Sequence, residues 1–219
     1  MDRGKLLLLT LGLVCTACPN PNTFTTPRTV APGQVQHTVS IEAIGGFDDE
    51  DSIVLPALPS YTARIGLADR LELGVHLSHL SSLGADFKWN PVRSEAFDLA
   101  IDPGAQAFYI VGDNSLVIYY LHLPLLLGFN LSKNASLVLT PGVSMIGVGG
   151  SFEDDHDDNV LYGASDTAWL GRLGLGFDIR ASKKFSVQPE VTFLKSFESE
   201  SGVLFLAGVG FKFGAQPEY

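Results

Sequence analysis

The chain lacks most of what common functional classes need. Of its 219 residues only two are cysteine, Cys15 and Cys18, both near the start. Lys and Arg number 14 against 24 Asp and Glu, for a net charge of −10. The basic surplus that phosphate contacts require is therefore missing, which excludes nucleic acid as a partner. The longest apolar run, Leu6 to Val14, falls far short of the roughly 20 residues of a spanning helix, and helical periodicity is nearly absent from the rest. No Cys and His cluster has zinc-site spacing, no glycine-rich phosphate loop occurs, and no motif calls for a cofactor or a resident metal.

What is present begins with a leader. Arg3 and Lys5 precede the apolar stretch Leu6 to Val14, and the small residues Thr16 and Ala17 follow, so residues 1–17 read as a secretory signal peptide. Cys15-Thr16-Ala17-Cys18 resembles a bacterial lipoprotein signal, which implies cleavage before Cys18 and its lipidation. Ordinary cleavage near Ala17 without lipid is the alternative, and either cut leaves at most one cysteine and no intrachain disulfide. Residues 18–33, from Pro19-Asn20-Pro21-Asn22 to Pro32-Gly33, are rich in Pro, Thr and Asn and read as an extended tether.

From residue 34 to 214 the dominant period is two. In Leu71-Glu72-Leu73-Gly74-Val75-His76-Leu77-Ser78 every odd position is aliphatic and every even one is polar, charged or glycine. About ten such segments follow one another, near 34–44, 57–67, 71–79, 83–89, 97–107, 116–130, 135–146, 167–180, 185–195 and 203–213. Short turns at 68–70, 90–96, 131–134 and 181–184 alternate with longer polar stretches at 45–56, 110–115, 147–166 and 196–202; the brief link at 80–82 breaks the alternation. The pattern predicts an all-β, up-and-down antiparallel transmembrane β-barrel of about ten strands, with eight or twelve as the alternatives.

A soluble sandwich would put the apolar phase inside, but two features favour the reverse. Aromatic residues on the apolar phase gather at segment ends: Trp89, Phe97, Phe129, Phe185 and Phe213 border the short turns as an interfacial girdle, with Tyr61, Tyr119, Trp169, Phe193 and Phe205 as a counterpart on the loop side. The opposite phase mixes charges with glycines, as a narrow lumen would. Arg64, Glu72, Asp86, Lys88, Asp98, Asp102, Arg172, Asp178, Arg180 and Glu190 are its candidate charge network, joined by Glu42 and Lys212. Pro103, Pro124, Pro141 and Pro189 fall inside predicted strands, and bulges are expected at Asp102-Pro103-Gly104 and Thr140-Pro141-Gly142.

The last strand, Gly208-Val209-Gly210-Phe211-Lys212-Phe213, resembles the final-strand signal of Gram-negative outer-membrane β-barrel proteins, although six residues follow it here. The resemblance implies an outer-membrane location with both termini in the periplasm, residues 18–33 as a periplasmic tether, residues 34–214 as the barrel and 215–219 as a short tail. It also implies outer-membrane lipids, lipopolysaccharide and the barrel assembly machinery as partners. The expected function is a structural or surface-presenting barrel, with a narrow porin-like pore or small-solute transporter as the alternative.

Two further motifs bear on chemistry. His76-Leu77-Ser78 resembles the His-x-Ser pair of outer-membrane lipid A deacylases, the basis of a remote acyl-hydrolase alternative; its inward phase points to a luminal histidine and no enzyme. The acidic runs Glu153 to Asp158 and Asp48 to Asp51 are read as solvated loops, with divalent-cation binding as the sharper possibility.

Overall fold

The structure, a computed structural model, describes residues 20–47, 52–110, 115–153, 161–198 and 202–217. Every regular element among the described residues is a strand: β1 (Val35–Phe47), β2 (Ser52–Pro56), β3 (Ser60–Ala68), β4 (Leu71–Ser78), β5 (Ser82–Arg93), β6 (Phe97–Ile101), β7 (Gly104–Ile110), β8 (Ser115–Ser132), β9 (Ala135–Glu153), β10 (Leu161–Ser182), β11 (Phe185–Ser196) and β12 (Val203–Gly214). Neighbours pair antiparallel in sequence order, and β12 returns to pair β1 from Gln36↔Gly214 to Phe47↔Val203, closing the sheet.

The barrel has ten staves. β6 and β7 form one stave interrupted at Asp102-Pro103, since β6 and β7 both lie between β5 and β8. The proline has no N–H for the ladder, and its carbonyl instead accepts from Phe87 at 2.9 Å. β2 is outside the count; it folds back on the loop-side half of β1, pairing Ala43↔Pro56 through Phe47↔Ser52. The bulge expected at Thr140-Pro141-Gly142 is not formed. β9 keeps one register against β10 through Thr140↔Gly174 and Gly142↔Arg172, and the donor that Pro141 lacks coincides with a gap in the pairing to β8 between Pro124↔Gly142 and Leu127↔Leu139. Register shifts occur instead beside the short turns, at Gly66/Ala68, Trp89/Val92, Asn130/Ser132 and Arg180/Ser182.

The brief link after β4 is a two-residue turn. His79 and Leu80 both have positive φ, 51° and 58°, and Ser81 N–H donates to Ser78 O at 3.1 Å. This is the geometry that matches strand twist in a tight hairpin, though it is strained for residues with a Cβ. The backbone N–H of His79 is held by Ser60 Oγ at 3.0 Å.

The phase of the alternation fixes what faces where. Glu72, Asp86, Asp98 and Lys212 are buried, whereas Val75, Leu83, Leu123, Leu173 and Leu175 stand on the outer surface. Such a distribution would be unstable in water and is stable against hydrocarbon, where a closed barrel also leaves no unpaired sheet edge. Arginine at Leu175, midway along the outer face of β10, is therefore expected to cost about 2–4 kcal/mol, and at Leu131, beside a short turn, about 0–1 kcal/mol. Unfolding from lipid vesicles by guanidinium measures both; equal losses would contradict the outward assignment.

Candidate functional site

Eleven residues, Asn20 to Val30, run through the middle of the barrel and are all buried. The sequence reads residues 18–33, which include this strap, as a periplasmic tether. Residues 20–30 lie inside the lumen without regular structure, with Phe24 at a positive φ of 42°, and only the link 31–34 is exposed. The Asn, Thr and Pro residues of the strap suit water and a polar lumen equally well, so composition could not separate the two.

At the short-turn end, Val30 N–H donates to Glu72 Oε2 at 2.8 Å and Thr29 Oγ1 to Asp69 O at 2.8 Å. The carbonyls of Val30 and Ala31 press on Gly66, where a Cβ would overlap them. Arg28 reaches Asp98 Oδ2 with Nε at 2.8 Å and Ser94 O with Nη2 at 2.6 Å. Farther in, Lys88 Nζ donates to Thr25 Oγ1 at 2.8 Å and Thr26 O at 3.0 Å. Phe24 lies over Gly210, whose Cβ would stand 2.8 Å from the ring, and Pro27 lies over Gly128 in the same way. Glu190 accepts the N–H groups of both Thr23 and Phe24 at 2.8 Å.

Toward the loop side, Arg172 Nη2 donates to Pro21 O at 2.8 Å. Gln106 pairs with Asn20 as another peptide group would, accepting its N–H and donating to its C=O, both at 3.0 Å. Glu42 accepts from Asn20 Nδ2 at 2.6 Å and from Asn22 Nδ2 at 3.0 Å.

The wall charges sort themselves around this strap. Arg64 grips Asp86 through two bonds of 2.7 and 2.8 Å and also reaches Glu72 at 3.4 Å and Asp102 at 3.6 Å. Lys88 pairs with Glu72 at 2.7 Å, and His76 Nε2 bonds Asp86. Nearer the short turns, Asp178 holds Lys212 at 2.8 Å and Arg180 at 3.2 Å. Glu42, Glu190 and Arg172 lie outside these ion pairs, and the strap gives each of them hydrogen bonds, beside those that Ser40 gives Glu42 and Gln188 gives Glu190. A buried charge without a partner costs several kcal/mol, so the strap lowers the cost of enclosing these three groups.

Sequence reasoning placed the charges on one phase but missed the strap residues, Gln106 and Gln188. The available signal was the number of luminal glycines. Gly74 does make room for the Asp86 carboxylate, but Gly128 and Gly210 make room for Pro27 and Phe24.

His76 and Ser78 are both enclosed. His76 directs its nitrogens to Asp86 and to Thr62 Oγ1, while Ser78 Oγ donates to Gln106 Oε1 at 3.1 Å, an arrangement that neither joins the pair nor opens it to lipid. His37 sits on the outer face and bonds Tyr61 Oη at 2.6 Å. Trp89, Phe129 and Phe213 are exposed near the short turns, with Phe97 against Phe129 at 5.4 Å and Phe185 against Phe213 at 5.2 Å between ring centroids. Residues 1–19, with the leader and Cys18, and the acidic residues 48–51 and 154–158 lie outside the described residues. Among the described residues no group of three His, Cys, Asp or Glu could hold a metal ion.

No protein-family model matches the sequence, and no curated protein does. Solved structures do match. The outer membrane protease OmpT of Escherichia coli superposes with a TM-score of 0.52 at 8% identity, over 88% of this chain and 100% of that one. The fold is that of a Gram-negative outer-membrane β-barrel. Ail, the attachment invasion locus protein of Yersinia pestis, in complex with the heparin analogue sucrose octasulfate, aligns with a TM-score of 0.42 at 9% identity, over 83% of this chain and 99% of that one. Neisserial surface protein A aligns with a TM-score of 0.39 at 9% identity, over 82% and 96%. In this barrel a chain segment is bonded along the length of the lumen.

Proposed function

We propose that the chain is a small outer-membrane barrel with a closed lumen, serving a structural or surface-presenting role rather than conducting solutes or cleaving lipids. The observation that carries this reading is the strap of residues 20–30, buried throughout and bonded to the wall near both ends of the lumen. The apolar outer face and its aromatic borders support contact with outer-membrane lipids and lipopolysaccharide. The final strand, β12, which closes on β1, supports recognition by the barrel assembly machinery. With the short turns in the periplasm, the C-terminal end of β12 is periplasmic. The strap runs from the short-turn end at Val30 to the loop-side residues Ser60 and Gln106 at Asn20.

Full-length protein purified from outer membranes is expected to migrate differently on detergent gels before and after boiling, and to give no discrete conductance steps in planar bilayers. Regular steps from the intact chain would overturn the closed-lumen reading. A narrow pore is the second reading. It is favoured by one wall where His122 Nδ1, Thr140 Oγ1, Thr192 Oγ1 and two nitrogens of Arg172 lack hydrogen-bond partners among the described residues. Those atoms line β8 to β11, where a water path beside the strap would run.

A further inference from the structure

The contacts between strap and wall are of two kinds, and the division resembles that of a peptide-binding site. One set reads the main chain. Gln106 takes both polar groups of Asn20, Glu190 takes two successive N–H groups, Glu72 takes the N–H of Val30, and Arg172 and Lys88 take the carbonyls of Pro21 and Thr26. The other set reads side chains: Glu42 the amides of Asn20 and Asn22, Gly210 the ring of Phe24, and Asp98 the guanidinium of Arg28.

The reading groups are also held from behind. Gln188 Nε2 donates to Glu190 at 2.9 Å, Ser40 Oγ to Glu42 at 2.7 Å, and Asn130 Nδ2 to Asp98 at 2.8 Å. A site whose polar groups are fixed by the wall loses little freedom on taking its ligand. Among the described residues, the hydrogen bonds of residues 20–30 run to wall and turn groups or within the segment itself and form no sheet ladder. The connection to β1 is the exposed link 31–34, which crosses Gly66 through Gly33 N–H to Gly66 O at 2.8 Å.

We propose that the lumen is a binding tunnel for an Asn/Thr/Pro-rich peptide without regular structure, with a central phenylalanine and an arginine toward the short-turn end. Residues 20–30 are its occupant in cis, and an unlinked peptide of the same chemistry enters by the same contacts once the cis segment is free to leave. This rests on the closed-lumen reading. The covalent link keeps the strap at a high effective concentration, so an external peptide competes only when that link is cut.

The test uses the full chain, refolded with a specific protease site inserted between Pro32 and Gly33 and cut after folding. Phe24→Ala on the strap of this chain speeds its departure. A fluorescent peptide carrying the wild-type sequence of residues 20–32 is then added. The expected result is a labelled band that comigrates with the folded, unboiled barrel, with a peptide bearing Arg28→Ala binding about tenfold more weakly and a scrambled peptide not retained. A folded, nicked barrel that takes up no wild-type peptide, or takes up the scrambled one equally, overturns the proposal. If the uncut chain already conducts in planar bilayers, it is the closed-lumen reading that fails.

Discussion

Deleting residues 20–30 is expected to turn a silent protein into a conducting one, with discrete steps in planar bilayers where the full chain gives none. The argument is one of volume and charge. In an eight-stranded barrel side chains alone just fill the interior. This barrel has ten staves and several luminal glycines, and the extra room holds the strap. Without it, Gly128 and Gly210 face open space rather than Pro27 and Phe24.

The exposed wall is then acidic. Glu42, Glu72, Asp86, Asp98, Asp102, Asp178 and Glu190 face only Arg64, Lys88, Arg172, Arg180 and Lys212, because Arg28 leaves with the strap. The open form should therefore prefer cations, seen as a reversal-potential shift in a potassium chloride gradient. Gly210→Leu offers a milder version in the full chain, since its side chain must occupy the place of the Phe24 ring. A deletion variant that still shows heat-modifiable migration yet stays silent would mean that the wall collapses on itself, and that the strap is not what closes the tube.

The strap also marks where sequence reading stops. The facing of Glu72 and Leu73 was legible because strands alternate strictly, and hydrocarbon outside with charges inside leaves one consistent phase. The ten staves followed from the turn spacing, and the break at Asp102-Pro103 from a missing donor. β2 was hidden within a stretch read as a single long loop; nothing in Ile53-Val54-Leu55 tells whether it completes the barrel or folds back on one strand. Among the luminal groups, the side of each charge could be read but not its partner. Asp86 and Arg64 lie 22 residues apart, and Glu190 and Thr23 lie 167 apart, so their meeting depends on register and closure. An Asn/Thr/Pro segment carries no period at all, and its place was decided by Glu42, Glu190 and Arg172, which only the assembled wall brings together.

The second large effect is expected at Arg64. Its guanidinium, 1% exposed, makes the paired bonds to Asp86 and also faces Glu72 and Asp102. Methionine there keeps much of the volume and removes the charge, leaving three carboxylates enclosed with Lys88 and His76 as the remaining neighbours. Breaking a buried pair from one side typically costs about 3–5 kcal/mol, because the orphaned charge stays buried. Arg64→Lys should lie between Met and wild type, since an ammonium cannot make the two parallel bonds. Arg70 provides the contrast. It is half exposed, 3.9 Å from Asp69, and its loss should cost about 0–1 kcal/mol. Guanidinium unfolding in lipid vesicles, followed by the emission of Trp89 and Trp169 on the outer face, measures all three variants. Equal midpoints for Arg64→Met and Arg70→Ala would show that the luminal carboxylates find other partners and that Arg64 does not organise them.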